Sequence, residues 1–255
     1  MLQLKNKLSL GTANFGDKIS YTEAERIMES FLQNYVSIHT ATNYPITNRS
    51  TFGSTLNFIK TFLDKHSLTC NLTVNIGALS SQYSSQNDLT PTFFYANYLM
   101  LKEMFPNQKL TLAVHWDDQS TSRADLVDLF CEIKNQVGIG LSGVKFPSNY
   151  LSNIMHYEYQ VNSYLDKKVN YDISNSVKNV LAISKMIGYQ LLGGNKLSHE
   201  RTRVISDLYS VSNSKDLEYA VLKNNSRIYD QMIIGPRDVN QTLSWIKAME
   251  ILDED

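Results

Sequence analysis

The chain has 255 residues, a length that suits one large domain and is typical of single α/β barrels. Its 24 Lys and Arg residues nearly balance its 25 Asp and Glu residues, and the formal net charge of −1 argues against nucleic acid as a partner. No apolar run reaches the ~18 residues of a membrane span, and residues 1–5 do not form a signal peptide. We therefore expect a cytoplasmic protein with no membrane partner.

Short aliphatic runs alternate with segments of helical periodicity along the whole chain. Strands are predicted near 8–10 and at 36–38, 72–76, 110–114, 137–141, 159–161, 180–183 and 232–234. Helices are predicted over 22–34, 51–65, 91–105, 123–136, 217–224 and 239–252. No low-complexity linker divides the chain, so a single domain over residues 1–255 is expected. Cys70 and Cys131 fall on apolar stretches and are expected to be buried, reduced thiols.

About eight strand–helix units imply a parallel sheet, either closed into a barrel or open and doubly wound. The open form usually carries Gly-x-Gly-x-x-Gly after the first strand. Residues 11–16 read Gly-Thr-Ala-Asn-Phe-Gly, which does not fit that pattern. The fold class predicted is therefore α/β, as a parallel eight-stranded (β/α)8 TIM barrel with a short C-terminal loop, since the chain ends just after the last predicted helix.

Polar residues fall where the predicted strands end, which is where TIM barrels place their active sites. Tyr44 follows the second strand and His115 the fourth, and such a pair can act as a proton donor and a carbonyl orienter. The other polar residues at these ends are His39, Asn75, Ser142, Gln160 and Arg237. We expect all of these side chains to converge at one mouth of the barrel.

Other interpretations of these residues stay open at this point. A histidine at a strand end is more often a structural, hydrogen-bonded residue than a catalytic one. His39 and His115 could also share a metal ion with Asp117 or Asp118 as a third ligand. No histidine spacing on a helix and no cysteine pair supports that, so no metal site is predicted.

Seven motifs, in the right order and on the right strands, resemble those of the aldo-keto reductase family. The resemblance covers almost the whole chain, and each motif alone is weak. The motifs are Leu-Gly-Thr-Ala-Asn-Phe-Gly at 10–16, Thr-Ala-x-x-Tyr at 40–44 followed by Gly53, His-Trp-x-Asp at 115–118, Gly-Leu-Ser at 140–142, Gln-Val at 160–161, Gly-Tyr-Gln-Leu-Leu-Gly-Gly-Asn-Lys at 188–196 and Ile-Ile-Gly-Pro-Arg-Asp-Val-Asn-Gln at 233–241.

The resemblance implies a nicotinamide cofactor, with NADP(H) favoured over NAD(H). Asp238 stands where the family usually has Ser or Thr, and its charge would lie near a 2′-phosphate. That position weakens the preference for NADP(H) without removing it. The residues carried over as cofactor-binding are Gly11, Thr12, Ser142, Gln160, Leu191, Lys196, Gly235, Arg237 and Gln241.

The resemblance also implies that Tyr44 is the general acid and His115 the residue that orients the carbonyl. Two positions depart from the family's catalytic tetrad: His39 replaces an Asp and Asn75 replaces a Lys. Losing one partner of a buried ion pair costs about 3–5 kcal/mol, whereas replacing both can be nearly neutral. We therefore interpret the two changes as paired, and expect His39 and Asn75 to hydrogen-bond each other as neutral groups.

The function predicted is an NAD(P)H-dependent oxidoreductase that reduces an aldehyde, ketone or sugar-like carbonyl, with attenuated or altered chemistry. Two alternatives remain from the sequence. One is a catalytically silent nucleotide-binding subunit, and the other is a non-redox lyase or epimerase that uses His39 beside Tyr44. The missing C-terminal loop would leave the pocket open for a bulky substrate, or for completion by another copy in a homo-oligomer.

Overall fold

Eight parallel strands close into a barrel in their order along the chain. The computed structural model describes residues 7–78, 87–163, 172–191 and 217–254. The predicted (β/α)8 barrel is confirmed. The strands are β1 Leu8–Gly11, β2 Ser37–Ala41, β3 Asn71–Ile76, β4 Lys109–His115, β5 Gly138–Ser142, β6 Tyr157–Asn162, β7 Ile183–Tyr189 and β8 Gln231–Ile234.

Helices follow the strands and cover the outside of the barrel. In α1 the buried residues Ala24, Ile27, Met28 and Phe31 recur at helical spacing, so one face packs against the barrel and the other meets solvent. Within the described part of the chain the α-helices are α1 Tyr21–Leu32, α2 Thr55–His66, α3 Pro91–Met104, α4 Ala124–Ile133, α5 Asp172–Lys178, α6 Leu217–Asn225 and α7 Val239–Glu254.

The alternation of side chains along each strand separates an apolar outer layer from a polar interior. Leu10, Ile38 and Val74 are fully buried members of the hydrophobic core, in which strand and helix residues pack together. The intervening positions face the barrel axis, because successive side chains on a strand point to opposite faces. His39 and Asn75 belong to this inward set, which is why polar groups line the barrel's interior.

The seventh strand lies further along the chain than the sequence predicted. Residues 180–183 were expected to form it, but β7 begins only at Ile183. The Val180 and Leu181 amides both donate to the carbonyl of Val177, so these two residues close a turn after α5. Lys185 lies on the strand itself and interrupts its apolar pattern, which explains why periodicity placed the strand too early.

Two further differences concern the helices. The α5 helix was not predicted, because its seven residues carry little apolar periodicity. The second predicted helix begins four residues late, at Thr55, after a 3₁₀ turn over Arg49–Thr51.

Both cysteines are free thiols, and Cys70 is buried whereas Cys131 is only partly covered. None of the described helices is long and apolar enough to cross a membrane.

Candidate active site

A cavity of about 320 Å³ lies at the carboxyl-terminal mouth of the barrel. Every described residue that the sequence singled out as catalytic or cofactor-binding lines this cavity. Lys196 lies outside the described residues. The residues brought together are Tyr44, His115, His39, Asn75, Gly11, Thr12, Ser142, Gln160, Leu191, Gly235, Arg237 and Gln241. The convergence expected from topology is therefore observed, while the role of each residue stays a prediction.

Tyr44 and His115 lie side by side in the cavity. Their ring centroids are 6.1 Å apart and the ring planes meet at 84°, an edge-on contact. Burial, with a smaller contribution from nearby Tyr189, raises the pKa of Tyr44 to about 12. Burial lowers the pKa of His115 to about 3. At neutral pH the site therefore presents a protonated phenol beside an uncharged imidazole.

His39 is a buried, neutral residue of the barrel interior. Burial, with a smaller contribution from the Lys185 ammonium, lowers its pKa to about 3, although a hydrogen bond with Gln231 acts in the opposite direction. Lys185 Nζ in turn donates to Gln231 Oε1 at 3.0 Å. A chain of polar side chains thus runs from a cation on β7 through β8 to the base of the cavity.

The expected hydrogen bond between His39 and Asn75 is wrong. Asn75 pairs instead with Gln160, which reaches it from β6. Gln160 Nε2 donates to Asn75 Oδ1 at 3.0 Å, and Asn75 Nδ2 donates to Gln160 Oε1 at 3.4 Å. Each of the two departures from the tetrad thus has a glutamine partner of its own. The sequence could not reveal this, because both glutamines lie far away along the chain.

Two buried imidazole nitrogens of the residues that line the cavity have no hydrogen-bond partner in the described part of the chain. They are Nδ1 of His39 and Nδ1 of His115. Buried polar atoms are nearly always paired, so an unpaired nitrogen beside a cavity marks a place where a ligand or water can bind. The His39 backbone is held firmly, because both the amide and the hydroxyl of Thr12 donate to its carbonyl, at 3.1 and 3.2 Å.

Trp116 forms part of the rim of the cavity in an unusual backbone conformation. Its φ is +59°, a left-handed conformation that is uncommon for a bulky residue. Its ring packs against His115, with centroids 4.6 Å apart, and 43% of the residue remains exposed. Gly143, with φ +67°, makes room for it, since a Cβ there would come within 2.6 Å of the indole. Strained residues of this kind are concentrated at functional sites.

The end of the cavity that contains the predicted cofactor-binding residues Gly235, Arg237 and Gln241 lies between β8 and α7. A Cβ added at Gly235 meets no atom of the described residues within 4 Å, so this glycine opens space that those residues do not fill. The Arg237 amide donates to Gln241 Oε1 at 2.8 Å, and the Arg237 side chain is exposed beside the cavity. Asp238 accepts from the Gln241 amide at 2.8 Å and so caps the start of α7.

Several lining residues were not singled out from the sequence. Tyr189 ends β7, Gln190 follows it with φ +53°, and Trp245 reaches the cavity from α7. Tyr189 was already part of a quoted motif, and its place at the end of a strand was the signal that could have identified it. The sequence gave no such signal for Trp245, because a tryptophan on the buried face of a helix cannot be distinguished by its spacing from an ordinary core residue.

Asp117 does not face the histidines, so it is not a third metal ligand with them. Arg123 binds both of its carboxylate oxygens, at 2.7 and 2.8 Å, and the Tyr150 hydroxyl donates to it at 2.7 Å. Although burial acts to raise the pKa of Asp117, these hydrogen bonds together hold it below its usual value. Asp117 therefore has a structural role, tying the loop after β4 to the loop after β5.

Comparison with known proteins shows what the fold resembles. Models of known protein families and characterised proteins gave no match to the chain. Two solved structures from Pseudomonas aeruginosa, each described only provisionally as an aldo-keto reductase, are similar to it. The first has 14% identity and a TM-score of 0.61, and the second has 13% and 0.60; each match covers 96% of this chain and 90% of the other.

The barrel therefore has the same fold as these two structures. At 13–14% identity the likeness concerns the fold, and the chemistry has to be argued from the site itself.

Proposed function

We propose that the protein is a reductase of the aldo-keto type, which transfers hydride from a nicotinamide cofactor to an aldehyde, ketone or sugar-like carbonyl. The observation that carries the proposal is the contact between Tyr44 and His115 inside a cavity that also contains Gln160, Arg237 and Gln241. A proton donor, a neutral hydrogen-bonding imidazole and the groups expected to hold a dinucleotide share one space. That combination fits carbonyl reduction.

The residues present fit a dinucleotide at two places. Ser142 and Gln160 offer a hydroxyl and an amide to a carboxamide, and Arg237 offers a guanidinium to a phosphate. The open space at Gly235 allows close approach of a ligand to the backbone. When bound, the cofactor supplies the hydride; the protein supplies binding, orientation and the proton.

NADP(H) is proposed over NAD(H) because of Arg237. Its guanidinium, exposed at the mouth, suits a 2′-phosphate. The carboxylate of Asp238 opposes this phosphate less than the sequence alone implied, since it is occupied in capping α7. Glu23 also accepts from the first amide of that helix, Val239, at 3.2 Å. A direct comparison of the two cofactors with the native chain and Arg237→Ala tests the preference.

Tyr44 donates the proton in the proposed reaction. Its raised pKa keeps it protonated at neutral pH but makes it a weaker acid than a phenol with an ordinary pKa. A neutral His115, whose Nδ1 has no partner in the described chain, can hydrogen-bond a carbonyl oxygen or the tyrosine. General acid catalysis is worth about 10²–10⁴-fold, and part of that is forfeited here. Slow turnover is the expected result.

The low pKa of His39 argues against the non-redox alternative. A lyase or epimerase needs an acid or base that exchanges protons near neutral pH, and a histidine with a pKa of about 3 does so poorly. The catalytically silent subunit remains the competing outcome, since it would share the same cofactor residues. Only a measurement of hydride transfer separates the two.

The proposed test follows the transfer of deuterium from the cofactor to the product, so that a slow reduction is also detected. The protein is incubated with NADPH deuterated at C4 and a panel of aldehydes, ketones and aldoses, and products are analysed by mass spectrometry. We expect deuterium in an alcohol product, lost in Tyr44→Phe. Binding of NADPH with no deuterated product from any carbonyl would contradict the reductase and favour the silent subunit.

A further inference from the structure

Asn75 stands where the resemblance places a catalytic lysine, and the structure gives its side chain a different partner. It lies on β3, while Gln160 lies on β6, three strands away around the barrel. Their side chains meet across the interior and exchange two hydrogen bonds, of 3.0 and 3.4 Å. Both residues are almost completely buried, at 6% and 4% exposure, and both line the cavity.

The reciprocal pair fixes the orientation of both amides. Each amide has an oxygen that accepts and an NH₂ group that donates. Turning the Gln160 amide over would bring NH₂ against NH₂ and oxygen against oxygen, so Gln160 can turn only if Asn75 turns with it. A buried amide left without partners is costly, which holds the pair together. A long, flexible glutamine is thereby confined to one conformation.

The pairing leaves part of Gln160 available to a ligand. An amide has two N–H groups and two acceptor lone pairs, and the contact with Asn75 uses one of each. The remaining N–H and lone pair match the acceptor and donor of a carboxamide. Because Gln160 is already held in place, binding a carboxamide does not have to pay for ordering this side chain.

We propose that Asn75 is the positioning residue for Gln160, holding it to bind the carboxamide of the nicotinamide ring. This inference rests on the proposed function, because it requires a nicotinamide cofactor. It gives the position of the missing lysine a new role, in cofactor binding rather than in proton transfer. Asn75 acts through Gln160, so its contribution is confined to ligands that carry the nicotinamide.

The test compares two ligands in Asn75→Ala. NADPH carries the nicotinamide, whereas 2′-phospho-ADP-ribose has the same adenosine phosphates and lacks it. We expect the Kd for NADPH to rise about tenfold, the effect of losing roughly one hydrogen bond's worth of binding. The Kd for 2′-phospho-ADP-ribose should change less than twofold. A merely structural role would weaken both ligands together.

Two further variants make the comparison specific. Asn75→Asp keeps an acceptor for Gln160 Nε2, the shorter of the two bonds, and should restore part of the NADPH affinity. Asn71→Ala removes another asparagine from the inward face of the same strand, where it bonds Ser37, and should leave the ratio of the two Kd values unchanged. Circular dichroism and thermal melts establish that each variant is folded.

The outcomes separate this inference from the proposed function. If the native protein binds neither ligand, the proposed function fails and the inference fails with it. If the native protein binds both, and Asn75→Ala and Asn75→Asp leave the NADPH Kd unchanged or weaken both ligands equally, the inference alone is overturned. Selective loss of NADPH affinity with retention of 2′-phospho-ADP-ribose supports it.

Discussion

The edge of one ring of the Tyr44–His115 pair meets the face of the other, 6.1 Å between centroids, within a cavity where both side chains are uncharged at neutral pH. Tyr44 follows β2 and His115 ends β4, 71 positions apart in the chain, yet both line the barrel mouth. In the proposed function, Tyr44 and His115 act on a single carbonyl oxygen, as proton donor and orienter. The predictions below test what that arrangement does.

Tyr44→Phe removes the hydroxyl and keeps the ring. We expect kcat to fall about 10²-fold, the lower end of the range for general acid catalysis, because the weakly acidic Tyr44 supplies only part of that effect, while the Kd for NADPH changes little. Steady-state kinetics and equilibrium titration measure the two quantities. Tyr95→Phe, at an exposed position on α3, is the matched control and should leave both unchanged. Unaltered kcat in Tyr44→Phe would remove the tyrosine from the mechanism.

Buried His39 and His115 should make the protein sensitive to mild acid. Both have folded-state pKa values of about 3, well below the usual 6.5, so the unfolded chain binds protons that the folded chain does not. Stability is therefore complete above pH 6.5 and declines as the pH falls toward 3. The expected slope is about 1.4 kcal/mol per pH unit for each histidine.

Urea denaturation at pH 7 and pH 5 measures this effect. The free energy of unfolding should be lower at pH 5, and the pH dependence should shrink by about half in His39→Gln. His156→Gln, which changes an exposed histidine, is the control and should retain the native dependence. Equal stability of the native protein at the two pH values would mean that the histidines are not held neutral.

Gly143→Ala should displace Trp116 from the rim of the cavity. The new Cβ would lie 2.6 Å from the indole, and an alanine in the left-handed conformation costs about 1 kcal/mol. We expect a shift in tryptophan fluorescence and a rise in KM for the carbonyl substrate. In the control Gly235→Ala the new Cβ meets no atom within 4 Å in the described part of the chain, so the variant should keep its thermal stability while binding the dinucleotide more weakly. An unchanged KM in Gly143→Ala would place Trp116 outside the substrate's path.

The double variant His39→Asp with Asn75→Lys restores the pair that the family pattern contains. The two positions lie on the inward faces of adjacent strands, so the new charges can neutralise each other. A nearby lysine should lower the pKa of Tyr44 and raise kcat at least tenfold, an order-of-magnitude expectation from acid catalysis. Cofactor affinity should fall at the same time, because Gln160 loses its partner.

The single change His39→Asp serves as the reference for that double variant. It places a carboxylate in the interior without the engineered lysine, and should cost about 3–5 kcal/mol of stability. Chemical denaturation compares the two proteins. A double variant no faster than the native protein would show that His39 and Asn75 are not an attenuated form of the family's Asp–Lys pair.

The barrel could be predicted from the sequence because its signals are local and repeated. Most outward strand positions, such as Ile38 or Val74, carry an aliphatic residue, and the helices between carry their apolar residues at helical spacing. Topology then placed the polar strand ends at one mouth. The position of the seventh strand was mispredicted because Lys185 occupies an inward position and breaks the apolar pattern.

The hydrogen-bonding partners inside the barrel could not be predicted. Asn75 and His39 lie on adjacent strands, which favoured a direct pairing. The structure instead pairs Asn75 with Gln160 on β6, three strands away, and His39 with Gln231 on β8, two strands away. The pairing of the interior amides depends on side-chain length and on the stagger between strands. A single sequence does not reveal how these two factors combine.

The two tryptophans of the chain, Trp116 and Trp245, both line the cavity, so their fluorescence reports directly on what enters it. Titration with NADPH tests the central claim that this cavity binds a nicotinamide dinucleotide. We predict saturable quenching of the tryptophan emission, with sensitised emission from the bound nicotinamide, and a weaker Kd for NADPH in Arg237→Ala. No saturable change with either NADPH or NADH would contradict the account.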